Sequence, residues 1–191
     1  GSREVSAFLE RYEGTYQEDR LRNDWLLLLG QRRDWSTFAA EHPKYRMGDD
    51  REVRCYALLV DYLRNPSAAS PTLGDDVRKS WLSQRDADDG CALAADRLID
   101  AKLMNPADAW RKARTALDTN RPRAARRAVE IIAPEAMGLL NEAINSPSKF
   151  LLAKATTATR KELAVLALVK LAQGDVDAAQ RQLQSHGELE V

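Results

Sequence analysis

The densest hydrophobic pattern of the chain lies between residues 21 and 43. This stretch, LRNDWLLLLGQRRDWSTFAAEHP, holds two tryptophans, one phenylalanine and five leucines. On a helix, four of these side chains share one face: Leu21, Trp25, Leu28 and Leu29. Two further leucines lie well off that face, so the helix is apolar over more than half of its circumference. Since a helix on the outside of a globule needs only one apolar stripe, the pattern favours a stacked helical array over a globular bundle with one central helix.

The rest of the chain also has helical periodicity, and no run of β-branched residues alternates with the period of two that a strand requires. The stretch NPSAASPT, 65–72, contains two prolines and no apolar periodicity, which predicts an exposed connection. The pattern as a whole predicts an all-α fold of about ten to twelve short helices. Their expected ranges are 4–13, 16–32, 35–42, 50–64, 74–84, 88–102, 106–118, 121–132, 134–145, 147–154, 160–173 and 175–185.

Polar capping residues indicate where several of these helices begin. Asp34 stands directly before WSTF and can cap the helix that follows. Asp49 and Thr159 each stand three residues before a glutamate, the spacing of a capping box, in which two backbone N–H groups are satisfied reciprocally. We therefore predict N-caps at these three positions.

Three joints between predicted helices share one pattern, in which an apolar helix end is followed by a stop, a cap and small or apolar residues. The stops are Gly30, Asn120 and Gly174. Small residues let the second helix lie close against the first, and the last joint, LALVKLAQGDVDAAQRQL, is similar to a tetratricopeptide repeat. We predict a single helical-repeat domain, 1–191, in which antiparallel hairpins stack into a right-handed α-superhelix without a fixed repeat length.

The expected structural core is rich in aromatic residues and leucine. The four tryptophans lie among leucines and alanines, which favours burial over a role in stacking on sugar rings. The residues that we expect in the core are Trp25, Leu28, Leu29, Trp35, Phe38, Trp81 and Trp110.

The charge balance argues against a nucleic-acid partner. Lysine and arginine number 29 and aspartate and glutamate also number 29, so the formal charge is zero and no net field attracts polyanions.

One basic cluster, NRPRAARRAVE, contains Arg121, Arg123, Arg126 and Arg127. We expect a solvated helix face offset by Glu130 and Glu135, with a phosphate or acidic-partner site as the alternative. No apolar run approaches the roughly 20 residues of a transmembrane helix.

Few residues carry recognisable chemistry. The two histidines, His42 and His186, stand at predicted helix ends, and neither has a second ligand at metal-site spacing. The chain contains no glycine-rich phosphate loop, nucleophile elbow or cysteine–histidine pair. We therefore assign no catalytic residue, no metal and no cofactor. The two cysteines, Cys55 and Cys91, allow a disulfide or two buried thiols equally well.

Five short motifs follow one another between residues 8 and 91. They are LRxxWL at 21–26, DWxxF at 34–38, RCYA at 54–57, WL at 81–82 and a second helical cysteine, Cys91. In this order and spacing, and with ERYEGTY at 10–16, they resemble the N-terminal helical domain of the soluble lytic murein transglycosylases of Gram-negative bacteria. From 105 to 185 the chain is similar to that domain only in its style of short helices.

The resemblance implies a periplasmic enzyme whose helical part forms a horseshoe or ring and carries a lysozyme-like catalytic domain. Such an enzyme cleaves glycan strands between N-acetylmuramic acid and N-acetylglucosamine to a 1,6-anhydro product. One glutamate acts as acid and then as base, and in that family it is followed by serine. No glutamate of this chain is followed by serine. We therefore expect either a fragment or a truncated relative, part of the horseshoe without the catalytic domain. Gly1-Ser2 at its start is typical of a cleaved tag.

The resemblance also bears on the cysteines and on function. A periplasmic location implies a Cys55–Cys91 disulfide between the RCYA helix and the helix that starts near Asp88. The implied function is a scaffold that supports the catalytic domain and guides peptidoglycan glycan strands or holds other cell-wall enzymes. The alternative is a stand-alone tetratricopeptide-like adaptor for protein–protein interactions. An RNA-binding helical repeat is more distant, because such repeats usually carry a basic excess.

Overall fold

The computed structural model describes residues 2–153 and 155–185, and in these ranges it contains helices, turns and loops but no strand. Its α-helices are α1 Ser2–Arg11, α2 Tyr16–Gln31, α3 Trp35–Glu41, α4 Arg51–Arg64, α5 Leu73–Ser83, α6 Asp89–Asp100, α7 Ala107–Asp118, α8 Pro122–Ile132, α9 Met137–Asn145, α10 Pro147–Leu151, α11 Ala158–Ala172 and α12 Val176–Ser185. Short 3₁₀ turns span His42–Lys44, Pro66–Ala68 and Pro134–Ala136. The predicted all-α fold with ten to twelve helices is confirmed. None of the helices in the described ranges combines the length and apolarity that a membrane crossing needs.

The N-caps agree with the predictions in part. Asp34 caps α3, its carboxylate accepting from the N–H three residues later at 3.2 Å. The prediction for Asp49 was wrong by one residue: Asp50 caps α4 at 3.0 Å, while Asp49 accepts from a tyrosine hydroxyl at 2.7 Å. The prediction for Thr159 was wrong by two residues, because Thr157 accepts the N–H three residues later at 3.2 Å and α11 begins earlier.

The helices form two compact units that divide near Leu103. The first unit holds α1 to α6, and the second holds α7 to α12 together with residues 85–87. A single domain in which hairpins stack continuously into a right-handed superhelix stays a prediction.

The core of the first unit lies where α2 and α4 meet. The helix α2 packs against α1, α3 and α4, and α4 also packs against α5 and α6. The buried cluster at this place consists of Leu9, Trp25, Leu26, Leu29, Phe38, Val53, Tyr56, Ala57 and Val60. Three expected core residues are therefore confirmed there, and Trp81 on α5 is also buried. Trp35 is half-buried and packs against the cluster from its edge.

The expected burial of Leu28 was wrong, since 41% of its surface is exposed, whereas Leu26 is fully buried. The buried face of α2 is rotated away from the one that the leucines predicted, because it includes four polar residues. They are Glu18, Asp19, Arg22 and Asn23. Successive residues on a helix are about 100° apart, so a face centred on these residues places Leu28 toward solvent.

Gly30 also departs from its predicted role, because it lies inside α2 and does not end it. A Cβ atom on Gly30 would lie 2.5 Å from Cδ2 of Tyr56, so glycine is required for the tyrosine ring to lie against α2. The chain reverses three residues later at Arg33, which has a φ of 59° and donates its N–H to the Gly30 carbonyl at 3.0 Å.

In the second unit, small residues bring α7 and α8 together. The alanines Ala109, Ala113, Ala116, Ala124, Ala125 and Ala128 are all buried. Asn120 has a φ of 56° at the turn between the two helices, which confirms it as the stop. The helix α11 packs against α7, α9, α10 and α12. Trp110 on α7 was expected in the core, but it is only half-buried.

Candidate functional site

A disulfide between Cys55 on α4 and Cys91 on α6 lies at the centre of the first unit. The two Cα atoms are 4.9 Å apart, and both side chains are fully buried. Asp88 caps α6 by accepting the Cys91 N–H at 2.6 Å, so the cap positions the second cysteine. The disulfide that the resemblance implied is therefore present.

Tyr56 lies next to the disulfide and binds the start of α6. Its hydroxyl donates to Asp89 Oδ2 at 2.5 Å, and Arg33 donates to Asp89 Oδ1 at 2.9 Å. Burial raises the pKa of the Tyr56 phenol well above its ordinary range, and the hydrogen bond to Asp89 is the second-largest cause of this rise. The phenol therefore stays protonated near neutral pH, and its place in the network is that of a fixed donor.

Two aromatic side chains of α3 pack on the same tyrosine. The ring centroids of Trp35 and Phe38 lie 6.1 and 6.0 Å from that of Tyr56, within the range of favourable aromatic pairs. The approach of α6 is equally close, because a Cβ atom on Gly90 would lie 2.7 Å from the Glu52 carbonyl oxygen. The motifs around residues 25, 35, 55 and 91 thus meet at one junction, which we call the Tyr56 junction.

The polar residues on the buried face of α2 form an ionic network. Arg22 donates to Glu18 Oε1 through Nε at 2.9 Å and through Nη2 at 2.6 Å, and it also donates to Glu41. Arg46 donates to Glu18 Oε2 at 2.9 Å. Because only 2% of Glu18 and 6% of Arg22 are exposed, loss of either partner would leave a buried charge uncompensated.

The same face of α2 also holds the segment before α4. Asp19 accepts the backbone N–H groups of residues 46 and 47 at 2.9 and 2.7 Å, and the Asn23 amide donates to Asp50 at 3.1 Å. Sequence reasoning missed this network, because it placed charged residues toward solvent. The available signal was the i, i+4 spacing of Glu18 and Arg22, which permits an ion pair along one helix face.

A cavity of about 230 Å³ opens between α1, α2 and the end of α3, and we call it the α1 groove. Its walls include Leu9, Glu10, Glu13, Arg22, Trp25 and Glu41. The carboxylates of Glu10 and Glu13 are exposed and make no hydrogen bond or ion pair within the described ranges. An apolar base beside carboxylates and a guanidinium suits a ligand with hydroxyl and amide groups.

His42 stacks on the Phe38 ring, with centroids 5.6 Å apart and planes 10° from parallel. Burial lowers the pKa of its imidazole, and the charge of Asp61 opposes that shift more weakly. His186 lies outside the described residues. No group of three or more histidine, cysteine or acidic side chains in residues 2–153 and 155–185 is arranged to hold a metal ion.

The basic cluster of α8 is mostly a solvated, internally paired face. Arg127 pairs with Glu130 at 2.8 Å, as expected, and Arg121 pairs with Asp86 at 2.7 Å. Arg126 donates to Asn141, and Arg123 is exposed. Acidic partners therefore compensate Arg121 and Arg127, whereas Arg123 and Arg126 have none within the described residues.

No family model, no curated protein and no solved structure matches this chain.

Proposed function

We propose that the chain is the non-catalytic helical scaffold of a periplasmic lytic transglycosylase, an enzyme that cleaves peptidoglycan glycan strands to 1,6-anhydromuramoyl products. The observation that supports this most is the meeting of separate motifs at the Tyr56 junction. Trp25, Phe38, Cys55, Tyr56 and Cys91 come from four of the five motifs and lie in or beside one core. Motifs that build one structural centre are expected when a resemblance reflects a shared fold.

The disulfide supports the proposed compartment. Disulfides form and persist in oxidising environments such as the bacterial periplasm and are rare in the cytosol. Because both cysteines are fully buried, the bond is shielded from reductants in the folded protein. These properties suit a structural disulfide of a periplasmic protein.

The α1 groove is the surface that we assign to the glycan strand. Glu10 and Glu13 offer acceptors for sugar hydroxyls and acetamido N–H groups, while the small accessible parts of Leu9 and Trp25 form the apolar base of the groove. Arg22 is held in place by Glu18, so its part of the groove wall is rigid. The groove binds in this proposal and performs no bond cleavage.

Co-sedimentation with purified peptidoglycan sacculi tests the proposal. We expect the chain to sediment with the sacculi and to release no anhydro-muropeptides. The variant Glu10→Gln/Glu13→Gln should bind several-fold less, whereas Glu135→Gln/Glu142→Gln, with the same charge change on exposed residues of the second unit, should bind like the wild type. Failure to sediment would contradict a glycan-guiding role, and release of anhydro-muropeptides would contradict a non-catalytic one.

The packing of the second unit favours one alternative, a tetratricopeptide-like adaptor for protein partners. Its α7–α8 pair meets through buried alanines, as helical-hairpin repeats do. The same sedimentation experiment separates the two functions, because an adaptor of this kind should not sediment with protein-free sacculi. Capture of peptide ligands without sacculus binding would favour the adaptor.

A further inference from the structure

A second cavity in the first unit lies where α5 faces the N-terminal end of α4, and we call it the α4 pocket. It has a volume of about 280 Å³. Its walls include Asp49, Asp50, Arg51, Arg54, Lys79 and Ser80. It is separate from the α1 groove, with which it shares no lining residue.

Both acidic residues of the α4 pocket are already engaged by donors of the protein. Asp50 accepts the Val53 N–H at 3.0 Å and the Asn23 amide at 3.1 Å. Asp49 accepts the Tyr45 hydroxyl at 2.7 Å. Much of the accepting capacity of these two carboxylates is therefore used inside the protein.

The cationic side chains of the pocket, by contrast, have few partners within the described part of the protein. Neither the guanidinium of Arg51 nor the ammonium of Lys79 makes a hydrogen bond or ion pair with any part of the chain that the structure describes. Arg54 has one distant ion pair, 3.8 Å from Asp76, and its side chain is 60% exposed. Arg51 and Lys79 are therefore the two cations of the pocket that have no acidic partner within the described residues.

Ser80 contributes a hydroxyl group to the wall of the pocket. Only 7% of the residue is exposed, yet its hydroxyl makes no hydrogen bond within the described ranges, and the residue forms part of the pocket wall. Its neighbour Ser83 does bond to a helix carbonyl, that of Lys79, at 2.7 Å. The hydroxyl oxygen is itself accessible from the pocket, so it can donate to water or to a ligand there.

We propose that the α4 pocket binds a tetrahedral oxyanion, with phosphate as its chemical type. Arg51, Arg54 and Lys79 supply charge-assisted donors, and the Ser80 hydroxyl supplies a fourth donor at the pocket wall. The volume exceeds that of a single ion, so a phosphate ester of a small polyol also fits. The proposal does not depend on glycan binding, because it concerns other residues and soluble ligands.

Titration with inorganic phosphate, followed by amide chemical shifts, tests this site in the wild-type chain. We expect saturable shifts at Arg51, Lys79 and Ser80 that weaken as sodium chloride is added. Shifts that grow linearly without saturation, or that sodium acetate reproduces at the same ionic strength, would overturn the proposal. Glucose 6-phosphate distinguishes two ligand sources, because tighter binding than phosphate indicates an ester and equal binding indicates the free ion.

Variants assign the binding to the pocket. Lys79→Gln and Arg51→Gln should each weaken phosphate binding by roughly tenfold or more, since each removes a charge-assisted hydrogen bond. Ser80→Ala should weaken it less and leave its dependence on salt unchanged. Lys161→Gln, an exposed residue of the second unit, is the matched control and should bind like the wild type. If Lys161→Gln and Lys79→Gln lost affinity equally, the α4 pocket would not be the site.

Discussion

The two units join their helices in different ways. In the first unit, the Cys55–Cys91 disulfide and the hydrogen bond from Tyr56 to Asp89 link α4 to α6. Polar side chains of α2 bind its neighbours, because Arg22 pairs with Glu41 of α3 and Asn23 donates to Asp50 at the start of α4. In the second unit, α7 and α8 meet through alanines, and the ion pair between α7 and α11 is about one quarter exposed at each partner (27% and 28%).

This difference predicts where stability is concentrated. In the first unit a few large or charged groups each make contacts that no neighbour can replace. In the second unit, many small contacts each contribute a little to stability. The stability of this unit therefore depends more on the distance between the helices than on any one side chain. Substitutions that remove a group should therefore affect the first unit most, and substitutions that add volume should affect the second.

The largest expected effect is that of Phe38→Ala in the first unit. The Phe38 side chain is 1% exposed and packs on Tyr56, so its removal leaves a cavity and should lower the free energy of unfolding by about 3–5 kcal/mol. Trp35→Ala should cost less, because Trp35 is only half-buried. Urea unfolding followed by circular dichroism measures both. Equal losses would show that the Trp35 ring is as well packed as the Phe38 ring.

Reduction of the disulfide should have the next largest effect, also confined to the first unit. The two cysteines are separated by 36 residues, and closing a loop of that length contributes roughly 3–4 kcal/mol in the chain-entropy model. Unfolding with and without dithiothreitol measures the difference. Cys55→Ser/Cys91→Ser is the control and should not respond to the reductant. Two reactive thiols in the denatured, unreduced protein would contradict the bond.

Added volume between α7 and α8 should have a smaller effect and should act on the second unit. Ala125 is fully buried, so Ala125→Leu forces the helices apart and should cost about 1–3 kcal/mol. Ala107→Leu, at an exposed position on α7, is the matched control and should change stability by less than roughly 0.5 kcal/mol. A neutral Ala125→Leu would show that the two helices are not closely packed there.

The two units also differ in how much the sequence could predict. In the second unit, the alanines and Asn120 predicted a tight turn and close packing, because both depend on residues near one another in the chain. In the first unit, helix bounds such as 50–64 for α4 were right within one residue. The cysteine pairing followed only from the resemblance, since composition left two alternatives open.

The orientation of α2 could not be predicted, for a physical reason. Its leucines suggested one buried face, but the partners that bury Glu18 and Arg22 are Glu41 and Arg46, which lie 19 or more residues away. Such ion pairs exist only after the loop before α4 has packed on α2. The exposure of Leu28 follows from them, and a pattern within one helix contains no information about it. The walls of both cavities depend on contacts of the same kind.

The smallest expected effect, that of His42, tests whether the first unit is tightly packed at its edge. Burial against Phe38 lowers the pKa of the imidazole below its unfolded value of about 6.5, so the unfolded chain binds more protons in that region. Stability should therefore decrease as the pH falls from 7.5 through 6.5 toward the lower pKa of the folded state.

The decrease should be smaller in His42→Asn, and the titration of His186 cancels because both proteins contain it. A pH dependence that is identical in the two proteins, or an NMR titration of His42 with a pKa above 6.5, would show that the ring is solvated and that the packing around Phe38 is looser than the structure indicates.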